Sequence, residues 1–483
     1  MARPRRKRPT RPRPRDSARE VALRAAVEAG ERGLGLRAAV ESLAGRAKLD
    51  ARDRRLAEEI VSGAARHRGS LDRALALVSD QPLERLHPSM HALLRQAAYQ
   101  ILFLDRVPVR AAVDEAVRLA RAFVGRSAAP FANAVLRAVG RLVESKSDGA
   151  PPPEARAFSL ARRGGGHVRL KSRVLAEPDL NLAAHLAGYY SAPEWLVARW
   201  LAELDEESTR RVLAAGLERP ALWARVNPLR ENLDALGERA DSPAQLVGTP
   251  LEGARSAARG ELPGAWRLEI EGPPDRLPGF GRGEWTVQDL ASQRSAHLLA
   301  PEPGERVLDL CAAPGTKTTQ LAELMRDRGD VLAVDRDPER LARGGEAARR
   351  LGLTSVRLLA CDAAELPPRF AGRFDRVLVD VPCSNTAVLA ARVEARWRAT
   401  PEGVTSLAER QRALLLSALA CARPGGRVAY STCSLLEEEN GRLVRAALAG
   451  CSDAELLEEI RTFPAPGEHG GGYVALLRIG REP

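Results

Sequence analysis

From residue 282 onward, short runs with the look of buried strands alternate with helical stretches. That alternation narrows the choice of fold more than any other feature of this 483-residue chain. The strand-like runs are Val307–Leu310, Val331–Val334, Val356–Leu359, Val377–Val379, Val428–Tyr430 and Val474–Ile479. Apolar residues at helical spacing fill most of the intervals, for example Thr318–Met325, Pro338–Leu351 and Val404–Cys421. A chain that alternates in this way predicts a doubly wound, mostly parallel sheet with its ligand beyond the carboxyl ends of the strands. The residues that follow each strand are therefore the candidates for chemistry.

After the first strand comes Asp309-Leu310-Cys311-Ala312-Ala313-Pro314-Gly315-Thr316-Lys317-Thr318-Thr319, which opens a helix at about Thr318. Ala312, Ala313 and Gly315 are small enough to let a ligand approach the backbone, and the helix start offers free N–H groups. The pattern is neither Gly-x-Gly-x-x-Gly nor a Walker A loop, so dinucleotide and nucleoside triphosphate sites fit it poorly. Asp335 follows Gly315 by 20 residues and ends the second strand, where an acid can hold ribose hydroxyls. Asp362 ends the third strand, placed to meet an adenine edge. Each acid alone is more often a helix cap, but loop and acids in register point to an adenosine-type cofactor. Only five of the 74 Lys and Arg residues are lysines, so the Lys317 kept in this loop hints that an ammonium is wanted there.

Two cysteines end later strands: Cys383 in Asp380-Val381-Pro382-Cys383-Ser384-Asn385-Thr386, and Cys433 in Ser431-Thr432-Cys433-Ser434. Two thiols beside an adenosine-type loop fit methylation of carbon 5 of a cytosine. That carbon is too electron-poor to attack a methyl sulfonium until a thiolate adds to carbon 6 and turns the ring into an enamine. A second thiol or a nearby base can then help expel the first. Cys361, Cys421 and Cys451 lack such context and read as structural. No Cys-x-x-Cys and no Cys/His cluster with zinc spacing occurs, so no metal is expected.

The rest of the chain divides by composition. Residues 1–15 carry eight cations and no acid out of a net charge of +11, which predicts a basic disordered arm for a polyanion or a solvated terminus. Residues 16–145 read as helical, with apolar periodicity over Ala18–Ala29, Leu36–Leu43, Arg55–Ala65, Met90–Leu104 and Val109–Val124. Pro151-Pro152-Pro153 and Gly164-Gly165-Gly166 mark 146–176 as a linker. Residues 177–281 mix a helix at Pro193–Leu204 with short strands such as Leu222–Asn227, and 282–483 form the last domain. No apolar run approaches the ~20 residues needed to span a bilayer, and the basic start lacks the apolar core of a secretory signal. A reducing cytoplasm is the expected location, with no membrane partner.

Several motifs carry a family resemblance. Gln96-Ala97-Ala98-Tyr99-Gln100-Ile101-Leu102, Val107-Pro108-Val109, Asp114-Glu115-Ala116-Val117 and Phe131-Ala132-Asn133-Ala134-Val135-Leu136-Arg137 resemble the NusB family, a helical RNA-binding fold. Leu102, Val117 and Leu136 are its expected core positions, and Asn133 a cap or packing polar group. Ser191-Ala192-Pro193-Glu194-Trp195-Leu196 and Arg225-Val226-Asn227-Pro228 resemble the small α+β, RNA-facing subdomain of bacterial rRNA cytosine-5 methyltransferases of the Sun/Fmu type. The loop, the acids and the two cysteine motifs are similar to the class I (Rossmann-like) methyltransferase domain of the same family.

That resemblance implies S-adenosyl-L-methionine as cofactor and a cytosine in small-subunit rRNA as substrate, bound by a monomer. It implies that Cys311, Ala312, Ala313, Pro314, Gly315, Thr316 and Lys317 surround the methionine and ribose, with Asp335 on the ribose, Asp362 near the adenine and Asp380 at the cofactor–base junction. It makes Cys433 the nucleophile and Cys383 the helper in release, whereas DNA cytosine-5 enzymes attack with a Pro-Cys cysteine. Ser-Thr-Cys-Ser followed by Glu437-Glu438-Glu439-Asn440 is the discriminator. The chain departs from the family at three places. Pro-Gly-Gly-Lys reads Pro-Gly-Thr-Lys, and Ser-Gly-Thr-Gly reads Ser384-Asn385-Thr386-Ala387. A basic–His stretch reads Ala390-Ala391-Arg392-Val393-Glu394-Ala395-Arg396-Trp397. The same chemistry on tRNA, and a non-catalytic RNA-binding assembly factor, are the rival readings.

Overall fold

Helix-period burial organises the first third of the chain. In the computed structural model, which describes residues 17–32, 35–230, 239–246, 248–366, 368–451 and 453–480, seven α-helices cover Ala18 to Leu142 among those residues. The expected arm at 1–15 lies outside the described residues. Val109–Phe123 shows how the pattern works: Ala112, Val113, Ala116, Leu119 and Ala120 are buried, one stripe at three- and four-residue spacing. Leu102 and Leu136 are fully buried as expected. Val117 is only half-buried, because Ala116 and Ala120 take the inward face of its helix. Asn133 is neither a cap nor a core group. It lies within the helix Ala128–Leu142 and accepts from Arg137 Nε one turn on, at 3.0 Å.

The segment expected to be a linker, 146–176, is folded. Val143–Ser147, His167–Leu170 and Ser159–Ala161 form an antiparallel sheet in that order, with Leu160, Val168 and Leu170 fully buried. The glycines there make a turn rather than a tether: Gly164 and Gly165 have φ of 77°, and Arg162 N donates to Gly166 O across them at 2.7 Å. This sheet and the helix Leu182–Tyr189 belong to the first of two compact units, which ends at Glu194. The expected boundary at 177 therefore does not coincide with the structural division.

The second unit begins with the helix ending at Glu203 and the helix Glu206–Ala215, followed by a five-stranded antiparallel sheet. Its order is Arg239–Ala240, Ser256–Arg259, Ala265–Glu269, Leu222–Val226, Trp285–Val287, packed on a core that includes Trp266 and Trp285. The last of these strands lies beyond residue 281, so this layer reaches further along the chain than its composition suggests.

The seven strands that follow are β1 Arg306–Leu310, β2 Asp330–Asp335, β3 Val356–Ala360, β4 Phe374–Asp380, β5 Ala422–Thr432, β6 Ala454–Thr462 and β7 Gly472–Ile479. They form one sheet in the order β3-β2-β1-β4-β5-β7-β6, in which β7 runs opposite to the other six strands. Helices Thr316–Leu324, Pro338–Leu351 and Pro401–Cys421 connect consecutive parallel strands. Apolar periodicity missed β6, an edge strand whose Glu455, Glu458 and Glu459 leave it no buried run.

Arg225 joins the small sheet to the large one from the end of Leu222–Val226. Both partners of its ion pair with Glu323 are almost fully buried, with Nε to Oε2 at 2.7 Å. The same guanidinium donates to Thr319 Oγ1 at 2.9 Å, to Thr316 O at 3.0 Å and to Gln288 Oε1. Two residues on, Asn227 Nδ2 donates to Gly283 O and Leu351 O. An Arg225→Met change strands the Glu323 carboxylate in the interior, which costs about 3–5 kcal/mol. Replacing both residues by Met removes the stranded charge. In urea denaturation the single variant is expected to lose more stability than the double, and equal losses would show that the buried charge is not the source.

Candidate active site

The parallel register decides which side chains meet. Val379 pairs with Leu310 and Asp380 with Ser431, so the residues that follow β1, β4 and β5 emerge side by side. They line one cavity of about 350 Å³, whose wall includes Asp309, Cys311, Lys317, Asp380 and Cys433. Of the residues singled out from the sequence, Ala312, Ala313, Pro314 and Thr316 also line it.

Gly315 shapes the loop from behind. Its φ is 93°, and a Cβ there would lie 2.4 Å from Gly344 Cα, so only glycine fits. Thr316, where the family has a second glycine, starts the helix without a left-handed backbone, and its carbonyl is the one Arg225 holds. Asp335 is buried and does not line the cavity. Its carboxylate accepts from Ala313 N at 3.0 Å and Asp337 N at 2.9 Å, tying the loop to the end of β2. Asp362 is also off the cavity wall, where its carboxylate caps the turn at Ala363 by accepting from Ala364 N and faces Arg410 at 3.6 Å.

The two sequence cysteines come together through a buried polar cluster. Cys433 N donates to Cys383 Sγ at 3.2 Å. Glu439, fully buried, accepts from Ser384 N at 2.9 Å, from Ser384 Oγ and from Gln411 Nε2 at 2.8 Å. Thr386 Oγ1 lies 3.1 Å from Ser434 Oγ and accepts from Leu435 N at the same distance. Asn440 accepts from Thr432 Oγ1 and donates to Ser434 O. The Pro-Cys-Ser and Thr-Cys-Ser loops are thus cross-linked. Asn385 takes the left-handed geometry, at φ 60°, that a glycine would supply, and Ala387 needs none. The sequence signalled Glu439 only as part of a motif, and Gln411 carried no signal, since a helix-interior glutamine acquires a partner only through tertiary packing.

Electrostatics separates the thiols. The hydrogen bond that Cys383 donates to it, with help from the Lys317 and Arg392 charges, holds the Cys433 thiol below its ordinary value against burial. The same hydrogen bond, then burial, pushes Cys383 up. Burial, with the surrounding acids, pushes Cys311 up to about 12. Of the three, Cys433 alone is shifted toward the thiolate. Lys317 Nζ pairs with Asp380 Oδ2 at 2.6 Å, and despite burial that pairing keeps the ammonium above its usual range. The lysine picked out as a cofactor-loop residue is equally a neighbour of the sulfur. Sequence reading did not single out Asp309, whose carboxyl burial pushes up to about 7 and whose Oδ1 has no hydrogen-bond partner among the described residues.

A doubly wound sheet with a small-residue loop after β1, an acid ending β2 and an antiparallel β7 defines a class I methyltransferase. The sequence pattern of the 16S rRNA methyltransferase RsmB/F family matches residues 296–471, that of the NusB family 16–141, and that of an RsmF/B-like ferredoxin-like domain 192–240. Ribosomal RNA small subunit methyltransferase B of Sodalis glossinidius is 33% identical over 449 residues, covering 93% of both chains. The probable enzyme of that name from Synechocystis sp. is 33% identical over 80% of this chain and 79% of its own. The crystal structure of PH0851 superposes with a TM-score of 0.75 at 25% identity, covering 95% of this chain and 98% of that one. The chain belongs to the family of ribosomal RNA small subunit methyltransferase B.

Its cofactor is S-adenosyl-L-methionine, as the loop and acids anticipate. The donor set suits that molecule, because Asp309, whose Oδ1 has no hydrogen-bond partner among the described residues, and Asp380 give the wall oxygen acceptors for its cationic amino group. Among the described residues, no group of His, Cys, Asp and Glu could hold a metal ion, and no helix is long and apolar enough to cross a membrane. Replacing Lys317 by Met removes an opposite charge beside Cys433, so its thiol pKa rises and less thiolate is present at neutral pH. Alkylation of Cys433 by iodoacetamide, followed by mass spectrometry of its peptide, is expected to slow by on the order of 10-fold. An unchanged rate would remove Lys317 from the electrostatics of Cys433.

Proposed function

We propose that this protein transfers the methyl group of S-adenosyl-L-methionine to carbon 5 of a cytosine in small-subunit rRNA, through a covalent adduct to Cys433. The observation that carries this reading is Cys433 on the wall of a methyltransferase cavity, its backbone N–H bonded to Cys383 Sγ at 3.2 Å, with the two thiols displaced in opposite directions, Cys433 toward thiolate and Cys383 toward thiol. Relatives named ribosomal RNA small subunit methyltransferase B support the substrate class. The NusB-like region favours rRNA over tRNA. An idle assembly factor would have no use for a lowered thiol in a methyltransferase cavity.

The cofactor supplies an electrophilic methyl on a sulfonium. Asp335 would hold its ribose, the loop from Cys311 to Lys317 its amino-acid end, and Asp362 would lie on the adenine side. Cys433 Sγ, as thiolate, bonds to carbon 6 of a base that has left its stack, since a stacked ring offers no access to its face. The electron pair this addition places at carbon 5 takes up the methyl. Asp380, held by Lys317, would accept from the cytosine edge. Once the Cys433 sulfur is bonded to carbon, the charge that kept Cys383 protonated is gone. Cys383 can then ionise and take the carbon 5 proton, and the bond between Cys433 and carbon 6 breaks to restore the aromatic ring.

Asp335→Ala is expected to weaken S-adenosyl-L-methionine binding, read by calorimetry, roughly 10- to 100-fold through loss of charge-assisted hydrogen bonds. Unchanged affinity would take Asp335 out of the site. The cysteine roles separate on a denaturing gel after incubation with rRNA and cofactor. Cys383→Ala should leave a protein–RNA band that survives denaturation, because the adduct forms and cannot resolve. Cys433→Ala should give no band and almost no turnover while still binding RNA and cofactor. The reverse pattern would exchange the two roles, and no band with either would refute the covalent route.

A further inference from the structure

The cavity reaches past the cofactor loop and the thiols to the segment Val388–Arg392, where the chain departs from its family's basic–His stretch. That segment is pinned to the nucleophile loop. Ala387 N donates to Cys433 O at 3.1 Å, and Gly471 N donates to Ala387 O at 2.9 Å. A turn then closes through Arg392 N to Val388 O at 2.9 Å, bringing Arg392 to the cavity wall. Ala390 and Ala391, which also line the wall, are too short to fill it.

Three Lys or Arg side chains line this cavity, and two are already engaged. Lys317 pairs with Asp380, and Arg340 donates to Ala313 O at 3.2 Å beside the cofactor loop. Arg392 is exposed, and among the described residues its guanidinium has no hydrogen-bond or ion-pair partner. Its charge nevertheless reaches Cys433, where it favours the thiolate. An uncommitted guanidinium at the edge of a cavity is matched by an anion that arrives with the substrate. Its planar fork of donors fits two oxygens of a phosphate better than an ammonium would. A base drawn out of an RNA strand into this cavity brings a phosphodiester with it on either side.

We propose that Arg392 binds the phosphodiester adjoining the nucleotide whose base enters the cavity, and so fixes the target nucleotide over Cys433. This rests on the reading that an RNA base enters this cavity, though not on the covalent step. The other anion in reach is the carboxylate of the cofactor's methionine end. The exposure of Arg392 and its origin after β4 favour the RNA strand, whereas Arg340 is the cation beside the cofactor loop.

The test uses the full chain carrying Cys433→Ala, so that RNA binding is read without turnover. Arg392→Ala, Arg392→Gln and Arg392→Lys are each added, and the probes are a 16S rRNA transcript and S-adenosyl-L-methionine. With Ala or Gln, RNA affinity should fall on the order of 10-fold and the slope of log K against log salt should flatten by about 0.7, the release from one single-strand phosphate. With Lys the slope should be retained. Cofactor affinity should stay within about twofold throughout. A fall in cofactor affinity with an unaltered salt slope would assign Arg392 to the methionine carboxylate and overturn the proposal. Unaltered binding of both would leave Arg392 a solvated cation and overturn it equally. Since these measurements need no adduct, an intact slope effect with no covalent band in the cysteine variants would defeat the cytosine mechanism alone.

Discussion

The hydrogen-bonded register of three adjacent parallel strands is the constraint on which the rest of this site depends. Because β1, β4 and β5 run side by side in one direction, the residues after Leu310, Val379 and Ser431 must emerge together at one edge of the sheet. Parallel pairing leaves no freedom to exchange faces, since a slip of one residue would turn every side chain over. A cofactor loop, an acid and a thiol far apart in the chain are thereby brought to one wall. The ion pair between Lys317 and Asp380 is the first consequence, linking the β1 loop to the end of β4 and setting a positive charge beside Cys433.

Around that edge the molecule buries a cluster of polar groups that are bonded to one another. Glu439 accepts from the serine after one cysteine, while Thr386 and Ser434 join the loops of both. Burying such groups costs less than stranding them, and a network with every member partnered holds a loop in one conformation. Ser384 and Ser434, the third residues of Pro-Cys-Ser and Thr-Cys-Ser, belong to that network. Their hydroxyls lie 3.1 Å apart and join the two cysteine loops. Arg225 does the same work one layer out, holding the carbonyl of Thr316 and the helix that begins there from a neighbouring sheet.

The thiols illustrate how environment divides identical groups. Cys311, Cys383 and Cys433 all lie at strand ends, yet burial neutralises the first, and one shared proton raises the second while lowering the third. Without the hydrogen bond from Cys383 and the nearby cations, desolvation would push Cys433 up as well. The state of a thiol is set here by its neighbours rather than by its residue type.

Local periodicity, turn chemistry and motif spacing determined the six strand runs of the last domain, most helices of the first unit, the small-residue loop after β1 and the two cysteine motifs. Each of these is encoded within about ten consecutive residues. What needs partners distant in sequence was decided by tertiary structure. The glycines and prolines of 146–176 read as a linker because composition cannot tell a tether from the tight turn of a sheet. Val117 reads as core because three- and four-residue spacing does not say which edge of a helical stripe faces out. The charged edge strand β6 carries no burial pattern, and Gln411 no motif. Lys317 could be assigned to the cofactor loop from its neighbours in sequence. Its second task, at Asp380 and Cys433, arises only when folding brings three strand ends within reach of one ammonium.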